Sequence, residues 1–230
     1  MNIDKNDILI IFPLVALLLL GIIMVASSSI YIADNNESNP FHFVQMQSLF
    51  IAIGILAMIC FLLLPSNFLY KTDWIFMLIS IILLIALFIP DIGTSVNGST
   101  RWIRIGPIGI QPSEICKFSL ILYISGYSVR RMSEIDSLRS FIKPLVLLFV
   151  ISILIMFQPD LGSTAIVCAL VVGILLYAGI SYSQLGLLIL LIALLGYLAI
   201  TESPMRLARI LAFTDPFAPD VVQKAGWQLS

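Results

Sequence analysis

The sequence predicts an all-α fold, a polytopic integral membrane helix bundle with about seven transmembrane helices, and three observations carry this prediction. The chain has 230 residues, of which 60% are hydrophobic and only 11% are charged. Its mean hydropathy is +1.09, far outside the range of soluble globular domains. The apolar residues are grouped in runs that approach the length needed to cross a bilayer, about 20 residues. No linker or internal repeat divides the chain, so residues 1–230 are predicted to form a single domain.

Seven apolar runs are the candidate spans, of which the third and fifth are short and poorly bounded. The runs occupy residues 8–30, 43–64, 74–90, 113–129, 142–157, 163–180 and 184–201. The first is too long and too poor in cleavage signals for a signal peptide, so we expect it to stay as a membrane helix. Because successive spans cross in alternate directions, the odd-numbered spans should end on the same face of the membrane. That face would hold the connections 31–42, 91–112 and 158–162 and the tail 202–230.

The distribution of lysine and arginine predicts the orientation in the membrane. The other face, which holds the N-terminus, carries six of these residues: Lys5, Lys71, Arg130, Arg131, Arg139 and Lys143. The face with the four polar segments carries five, and two of its segments, 31–42 and 158–162, carry none. The densest group lies between residues 130 and 143. We therefore predict that the N-terminus and this group are cytoplasmic and that the opposite face lies outside the bacterial cytoplasmic membrane.

The composition also excludes several classes of function. The net charge of −1, without a basic run longer than Arg130-Arg131, gives no signal for a nucleic-acid partner. The three cysteines lie far apart in or beside apolar runs, which predicts buried apolar side chains rather than a disulfide framework or metal ligands. His42 is the only histidine, so a histidine-based metal centre or a Ser-His catalytic pair is excluded.

The most unusual stretch runs from residue 97 to residue 117 and reads NGSTRWIRIGPIGIQPSEICK. Its glycines and prolines forbid a regular helix across most of its length. Pro112 is predicted to open a helix, with Glu114 in a first turn that favours an anion. Lys117 follows on the same face, about one turn inside the membrane helix. The two charges are either a structural ion pair or the wall of a polar cavity that holds an anionic headgroup.

Three further charged residues of the connections have two interpretations each. Arg101 and Arg104 flank Trp102, an aromatic residue suited to a membrane interface. These arginines either anchor the loop to lipid phosphates or bind a pyrophosphate, because a guanidinium donates hydrogen bonds in pairs. Asp160 lies in a short turn before Ser163, where it either caps the next helix or adjoins the cavity and helps to place a cation.

The tail contains the chain's last group of candidate catalytic residues. Arg206 and Arg209 are three residues apart and would share one face of a short helix. Asp215 and Asp220 follow in a segment broken by prolines. The four residues either form surface salt bridges, which contribute little to stability, or supply a base and an electrophilic clamp.

Three motifs in this order resemble the SEDS family (shape, elongation, division and sporulation). The stretch at 97–117 resembles the family's NGA-RWI…QPSE-x-x-K signature. QPDLGSTAI, from residue 158, resembles its second signature, and DPF…D…GWQLS, from residue 215, resembles its large extracellular loop. The resemblance covers essentially the whole chain. GIIMVASSS, NPFHFVQMQ, GYSVRR and LRSFIKP resemble the division type more than the elongation type.

The resemblance implies a function and partners. Members of the family are polytopic proteins, typically of ten spans, that polymerise lipid II as peptidoglycan glycosyltransferases together with a class B penicillin-binding protein. A division-type member would also contact other membrane proteins of the division machinery. The family continues for about three more spans where this sequence stops, so the resemblance implies a fragment or a split protein with doubtful activity by itself. A lipid II flippase and a non-catalytic assembly protein remain alternatives.

The resemblance also assigns roles to residues. It makes Asp220 the essential acid, with Asp215 as the alternative because Val221 stands where the family usually has proline. Glu114 and Lys117 match the family's polar pair in the central cavity, and Arg101 matches its RW motif. The leaving pyrophosphate would be stabilised by cationic side chains, with or without a divalent cation such as Mg²⁺ or Mn²⁺. The candidates for this role are Arg101, Arg104, Lys117, Arg206 and Arg209.

Overall fold

The structure, a computed structural model, describes residues 5–36, 41–90, 92–96, 99–106, 108–135 and 137–201. In this part of the chain there are seven α-helices, and each of them overlaps one of the predicted apolar runs. The helices are α1 (Lys5–Asn36), α2 (His42–Leu63), α3 (Ser66–Ala86), α4 (Pro112–Arg130), α5 (Leu138–Phe157), α6 (Leu161–Ala178) and α7 (Tyr182–Thr201). The prediction of an all-α polytopic membrane bundle is confirmed.

The helices differ in how well each suits a membrane by itself. Among the described residues α1, α2, α3, α5 and α6 are long and apolar enough to span a bilayer, and α7 contributes a shorter apolar stretch, Tyr182–Leu198. Helix α4 is more polar because it carries charged residues at both ends and several serines. Of these serines, Ser113, Ser119 and Ser128 are buried. Protein contacts therefore replace lipid around much of α4, which lets a polar helix lie in the bundle.

The chain forms two compact units, which are described separately. In the first, α1 and α2 pack against each other. The second unit begins at Asn67 and contains nearly all of α3 together with α4 to α7. Its core is a single cluster in which side chains recur every third or fourth residue along each helix. Fully buried members of the cluster are Leu84, Cys116, Leu120, Ile124, Ile151, Ile155, Val167, Val171 and Leu188.

The connection between α3 and α4 is a small antiparallel sheet. Its strands are β1 (Gly93–Val96), β2 (Ser99–Ile105) and β3 (Ile108–Ile110), in the order β1-β2-β3. Val96 pairs with Ser99, and the two residues between them in sequence are Asn-Gly, the dipeptide typical of tight hairpins. The prediction that this stretch is not helical is correct, but its regular strands were not predicted.

Several predicted helix boundaries are wrong, among them the starts of α3 and α5, which lie before the starts of their apolar runs. Helix α3 starts at Ser66 rather than at residue 74 and ends at Ala86 rather than at residue 90, and α5 starts at Leu138 rather than at residue 142. The first turns of α3 tolerate Asp73 because Arg130 of α4 pairs with it. Ser137 caps α5, since its side-chain oxygen accepts a hydrogen bond from Ser140 N at 3.2 Å.

Candidate functional site

Two of the motifs singled out in the sequence meet at one end of the second unit. Arg101 of β2 reaches the turn that joins α5 to α6. Its guanidinium donates to the carbonyl oxygens of Gln158 (Nε to O, 3.4 Å) and Pro159. It also forms an ion pair with Asp160, with 3.8 Å between Nε and Oδ2. The sheet and the turn are 57 to 59 residues apart in sequence, so this contact fixes one motif against the other.

Asp160 is buried and uses both carboxylate oxygens. Oδ1 accepts a hydrogen bond from Ser163 N at 3.1 Å, and Oδ2 accepts one from Ser163 Oγ at 2.8 Å. These contacts satisfy the exposed amide end of α6 and match the helix-cap interpretation of the sequence. The ion pair with Arg101 adds a second role, in which the same carboxylate holds the β-sheet. Its predicted role in placing a cation stays a prediction.

Gln111 connects this turn to the beginning of α4. Its side-chain amide donates to Asp160 Oδ2 at 3.4 Å and to Ser113 Oγ at 3.0 Å. Its backbone oxygen accepts a hydrogen bond from Glu114 N at 3.0 Å. Gln111 was missed as a site residue in the sequence, although its position directly before Pro112, at a helix start, was visible there.

Gln158 anchors the same turn to α3. The side chain is buried, and its amide nitrogen donates to the backbone oxygen of Leu84 at 3.2 Å. Helix α3, the sheet, α4 and the α5–α6 turn therefore meet around a polar cluster that we call the Arg101–Asp160 cluster, made of Arg101, Gln111, Gln158, Asp160 and Ser163. The prediction that connections 91–112 and 158–162 lie on one face is confirmed by these contacts.

Arg101 and Arg104 lie on opposite faces of β2, because side chains alternate along a strand and the two are three positions apart. Arg104 is exposed and pairs in register with Gly109 of β3. Trp102 shares its face and packs over Gly109, where an added Cβ would be 3.2 Å from the indole ring. Only Arg101 joins the cluster, so the two arginines do not form one clamp in the structure. Whether either of them binds substrate stays a prediction.

The predicted pair on α4 is formed. Lys117 Nζ lies 2.7 Å from Glu114 Oε1, with the lysine side chain 14% exposed and the carboxylate side chain 58% exposed. The exposed carboxylate and the partly buried lysine suit a site that is open on one side. The structural and the cavity interpretations of the pair both remain open. No group of three His, Cys, Asp or Glu side chains that could hold a metal ion occurs in the described ranges.

The remaining candidates are in the tail. Arg206, Arg209, Asp215 and Asp220 lie outside the described residues, so their predicted roles stay predictions. The Arg101–Asp160 cluster offers guanidinium, amide and hydroxyl donors together with the carboxylate of Asp160 at one end of the second unit. Such groups can bind and orient a phosphate-bearing or sugar-bearing headgroup.

Replacing Asp160 is expected to separate its two roles. Asp160→Ala removes the cap and the partner of Arg101, and we expect it to lower the free energy of unfolding by about 1–2 kcal/mol. Asp160→Asn keeps an acceptor for Ser163 N but removes the charge that faces Arg101, so its loss should be smaller than that of the alanine variant. Denaturation in mixed micelles measures both, with Ser163→Ala as the control that removes one hydroxyl contact. Equal losses for the alanine and asparagine variants would contradict the capping role.

Comparison with known proteins places this arrangement in a family. A model of the FtsW/RodA/SpoVE family, described as cell cycle protein, matches residues 7–230. A probable peptidoglycan glycosyltransferase FtsW of Legionella pneumophila is 39% identical over 216 residues, which are 93% of this chain and 54% of the relative. A protein of the same name from Alkalilimnicola ehrlichii is 35% identical over 228 residues, which are 99% of this chain and 56% of the relative. The chain thus spans about half the length of these curated relatives.

Solved structures share the fold. A chain from a peptidoglycan synthase complex, reported for the structural coordination of polymerization and crosslinking, matches with a TM-score of 0.63 and 22% identity. The match covers 89% of this chain and 61% of that one. The rod shape determining protein RodA of Thermus thermophilus matches with a TM-score of 0.57 and 22% identity, over 77% of this chain and 58% of that one. At this identity the likeness supports the polytopic helical fold alone.

Proposed function

The chain belongs to the FtsW/RodA/SpoVE family of cell cycle proteins, the family that its motifs resemble, and from that premise we propose that it is a peptidoglycan glycosyltransferase. In this proposal it polymerises lipid II into glycan strands during septal cell-wall synthesis, as the names of its curated relatives suggest. It is a multi-pass protein of the bacterial inner membrane. We further propose that its N-terminus is cytoplasmic and that a class B penicillin-binding protein and other division proteins are its partners.

The contact between Arg101 and the turn at Asp160 carries the proposal. Together with the contacts of Gln111, it brings strand β2, the start of α4 and the α5–α6 turn to one end of the second unit. An enzyme that works on the headgroup of a membrane-anchored substrate needs its polar groups at one face. A flippase needs polar groups that are accessible from both faces, whereas the motifs that resemble the family gather at one end of the second unit. The gathering of polar motifs therefore favours the polymerase.

The proposed reaction joins two lipid-linked disaccharides. The 4-hydroxyl of the acceptor sugar attacks the anomeric carbon of the donor strand, so that an O–C bond forms and the bond from that carbon to polyprenyl pyrophosphate breaks. Asp220, or else Asp215, takes the hydroxyl proton as general base. Cations near the leaving group stabilise its growing negative charge. The candidates are Arg101, Arg104, Lys117, Arg206 and Arg209, of which Arg104 is the described arginine without an assigned contact.

Polymerisation of labelled lipid II in liposomes tests the proposal. Two proteins are compared, each with a class B penicillin-binding protein: the 230-residue chain, and a chimera in which the C-terminal part of the Legionella pneumophila relative follows Ser230. We expect glycan strands from the chimera. Parallel reactions with Mg²⁺, Mn²⁺ or a chelator show whether a divalent cation takes part. Absence of strands in every reaction, while lipid II still crosses the bilayer, would instead support the flippase.

A further inference from the structure

A polar pocket lies at the opposite end of α4 from the Arg101–Asp160 cluster. Its volume is about 490 Å³, which is within the usual range for small-molecule sites. It is formed where the first turns of α3, the last turn of α4 and the start of α5 converge. Helix α4 has 19 residues, so the pocket lies about 27 Å from the start of that helix, close to the thickness of a bilayer core.

The pocket is strongly basic. Four cationic side chains line it, and the only carboxylate among its lining residues is that of Asp73. The cations are Lys71, Arg130, Arg131 and Lys143. Two of the cations are already engaged, because Arg130 pairs with Asp73 at 2.7 Å and Arg131 pairs with Glu134 at 2.9 Å.

The two lysines are the uncompensated charges of the pocket. Within the described ranges neither Lys71 nor Lys143 is in an ion pair. They belong to different helices, α3 and α5, so they flank the pocket from two sides. The fixed ion pair of Arg130 with Asp73 forms part of the wall between them. A bound group with negative charge would be attracted to both lysines at once.

The rest of the lining fits a lipid headgroup at a membrane interface. Trp74 and the tyrosines Tyr70, Tyr123 and Tyr127 also line the pocket, and such aromatic residues favour the interfacial layer. Next to the pocket, α3 exposes Leu78 and α5 exposes Val146. An acyl chain could lie along these apolar faces while its phosphate occupies the pocket. Basic pockets between membrane helices bind lipid headgroups in this way.

We propose that this pocket binds the phosphate headgroup of an anionic phospholipid, with Lys71 and Lys143 as the residues that contact the phosphate. The site is separate from the proposed catalytic face and does not depend on the proposed function. Each lysine near a charged lipid surface is worth about 1 kcal/mol. Removing one is therefore expected to weaken binding of an anionic lipid about fivefold, and removing both about 25-fold.

Native mass spectrometry of the purified chain with added lipids tests this proposal. The protein is titrated with phosphatidylglycerol, cardiolipin or phosphatidylcholine, with and without millimolar inorganic phosphate. We expect retention of the two anionic lipids, weakened by Lys71→Ala and by Lys143→Ala. Arg139→Ala is the matched control, because Arg139 is exposed on the same helix as Lys143 but does not line the pocket.

Three results would overturn the proposal. Equal retention of phosphatidylcholine would show that charge does not select the lipid. An effect of Arg139→Ala as large as that of Lys143→Ala would show attraction to a diffuse basic surface rather than to the pocket. Displacement of the lipid by millimolar inorganic phosphate would identify a site for free phosphate. Circular dichroism of each variant checks that the helices are intact, so that loss of binding is not loss of fold.

Discussion

Arg130→Met is expected to lower the free energy of unfolding of the helix bundle by about 3–5 kcal/mol, because it leaves a buried carboxylate without its counter-ion. The side chain of Asp73 is only 2% exposed, and its Oδ2 lies 2.7 Å from Arg130 Nη2. This contact is a close ion pair rather than an aligned hydrogen bond. The carboxylate therefore depends on the charge of Arg130, which methionine removes while keeping most of the volume.

Further contacts hold Arg130 and Asp73 in place. Arg130 Nη1 donates to the backbone oxygen of Tyr70 at 3.2 Å, and the guanidinium carbon lies 5.0 Å from the centre of the Tyr70 ring. Gly126 provides the space for Asp73, since a Cβ at this position would overlap with the carboxylate. These contacts place the guanidinium of Arg130 next to the carboxylate of Asp73.

Arg130→Met and Asp73→Asn should lower the free energy of unfolding by different amounts, which makes the prediction specific. Asp73→Asn leaves Arg130 unpaired, but that side chain is 33% exposed and can reach solvent, so the loss should be smaller. The double variant Asp73→Leu with Arg130→Met should recover most of the stability, because an apolar pair often replaces a buried ion pair without cost. Denaturation in mixed micelles measures all three.

Arg131→Met is the matched control for Arg130→Met. Its partner Glu134 lies 2.9 Å away, but both side chains are about half exposed. Such pairs contribute little, so the change should stay within about 0.5 kcal/mol. If Arg131→Met and Arg130→Met cost the same, the buried pair is not the source of stability.

The spans were predictable from the sequence because apolar runs are a local signal. All seven helices match predicted runs, yet α3 begins eight residues earlier than its run. When a span is predicted from hydropathy along the sequence, the charged Asp73 marks the boundary before the apolar run. Such a prediction cannot detect that Arg130, 57 positions later, neutralises the carboxylate. The error at this boundary therefore has its source in a long-range pair.

The candidate site shows the same division between local and long-range information. The cap of α6 by Asp160 was predictable, because a capping residue acts on the amide three positions ahead. The contact of Arg101 with the same turn was not, since it joins residues 59 positions apart. The common face of the two connections was predictable by counting spans. Arg101 and Arg104 lie on opposite faces of strand β2, and only Arg101 reaches the α5–α6 turn. The strand was not predicted from the sequence, so this difference between the two arginines was not predicted either.

Asp220→Asn is expected to lower the rate of glycan polymerisation at least 100-fold in the active chimera, as removal of a general base typically does. The acceptor hydroxyl is a weak nucleophile at neutral pH, and asparagine cannot take its proton. Asparagine has nearly the shape of aspartate, so binding of lipid II should change little. The measurement is the initial rate of strand formation from labelled lipid II in liposomes.

Asp215→Asn is the matched control, because the same chemical change is made five residues away in the same segment. The prediction for Asp220 rests on its position shortly before Gly226-Trp227-Gln228, which matches the family's second loop position. We expect Asp215→Asn to retain activity within a few-fold. A full rate for Asp220→Asn together with loss of activity for Asp215→Asn would transfer the role of base to Asp215. Either result would keep the base in the same tail as Arg206 and Arg209, the two arginines proposed to stabilise the departing pyrophosphate.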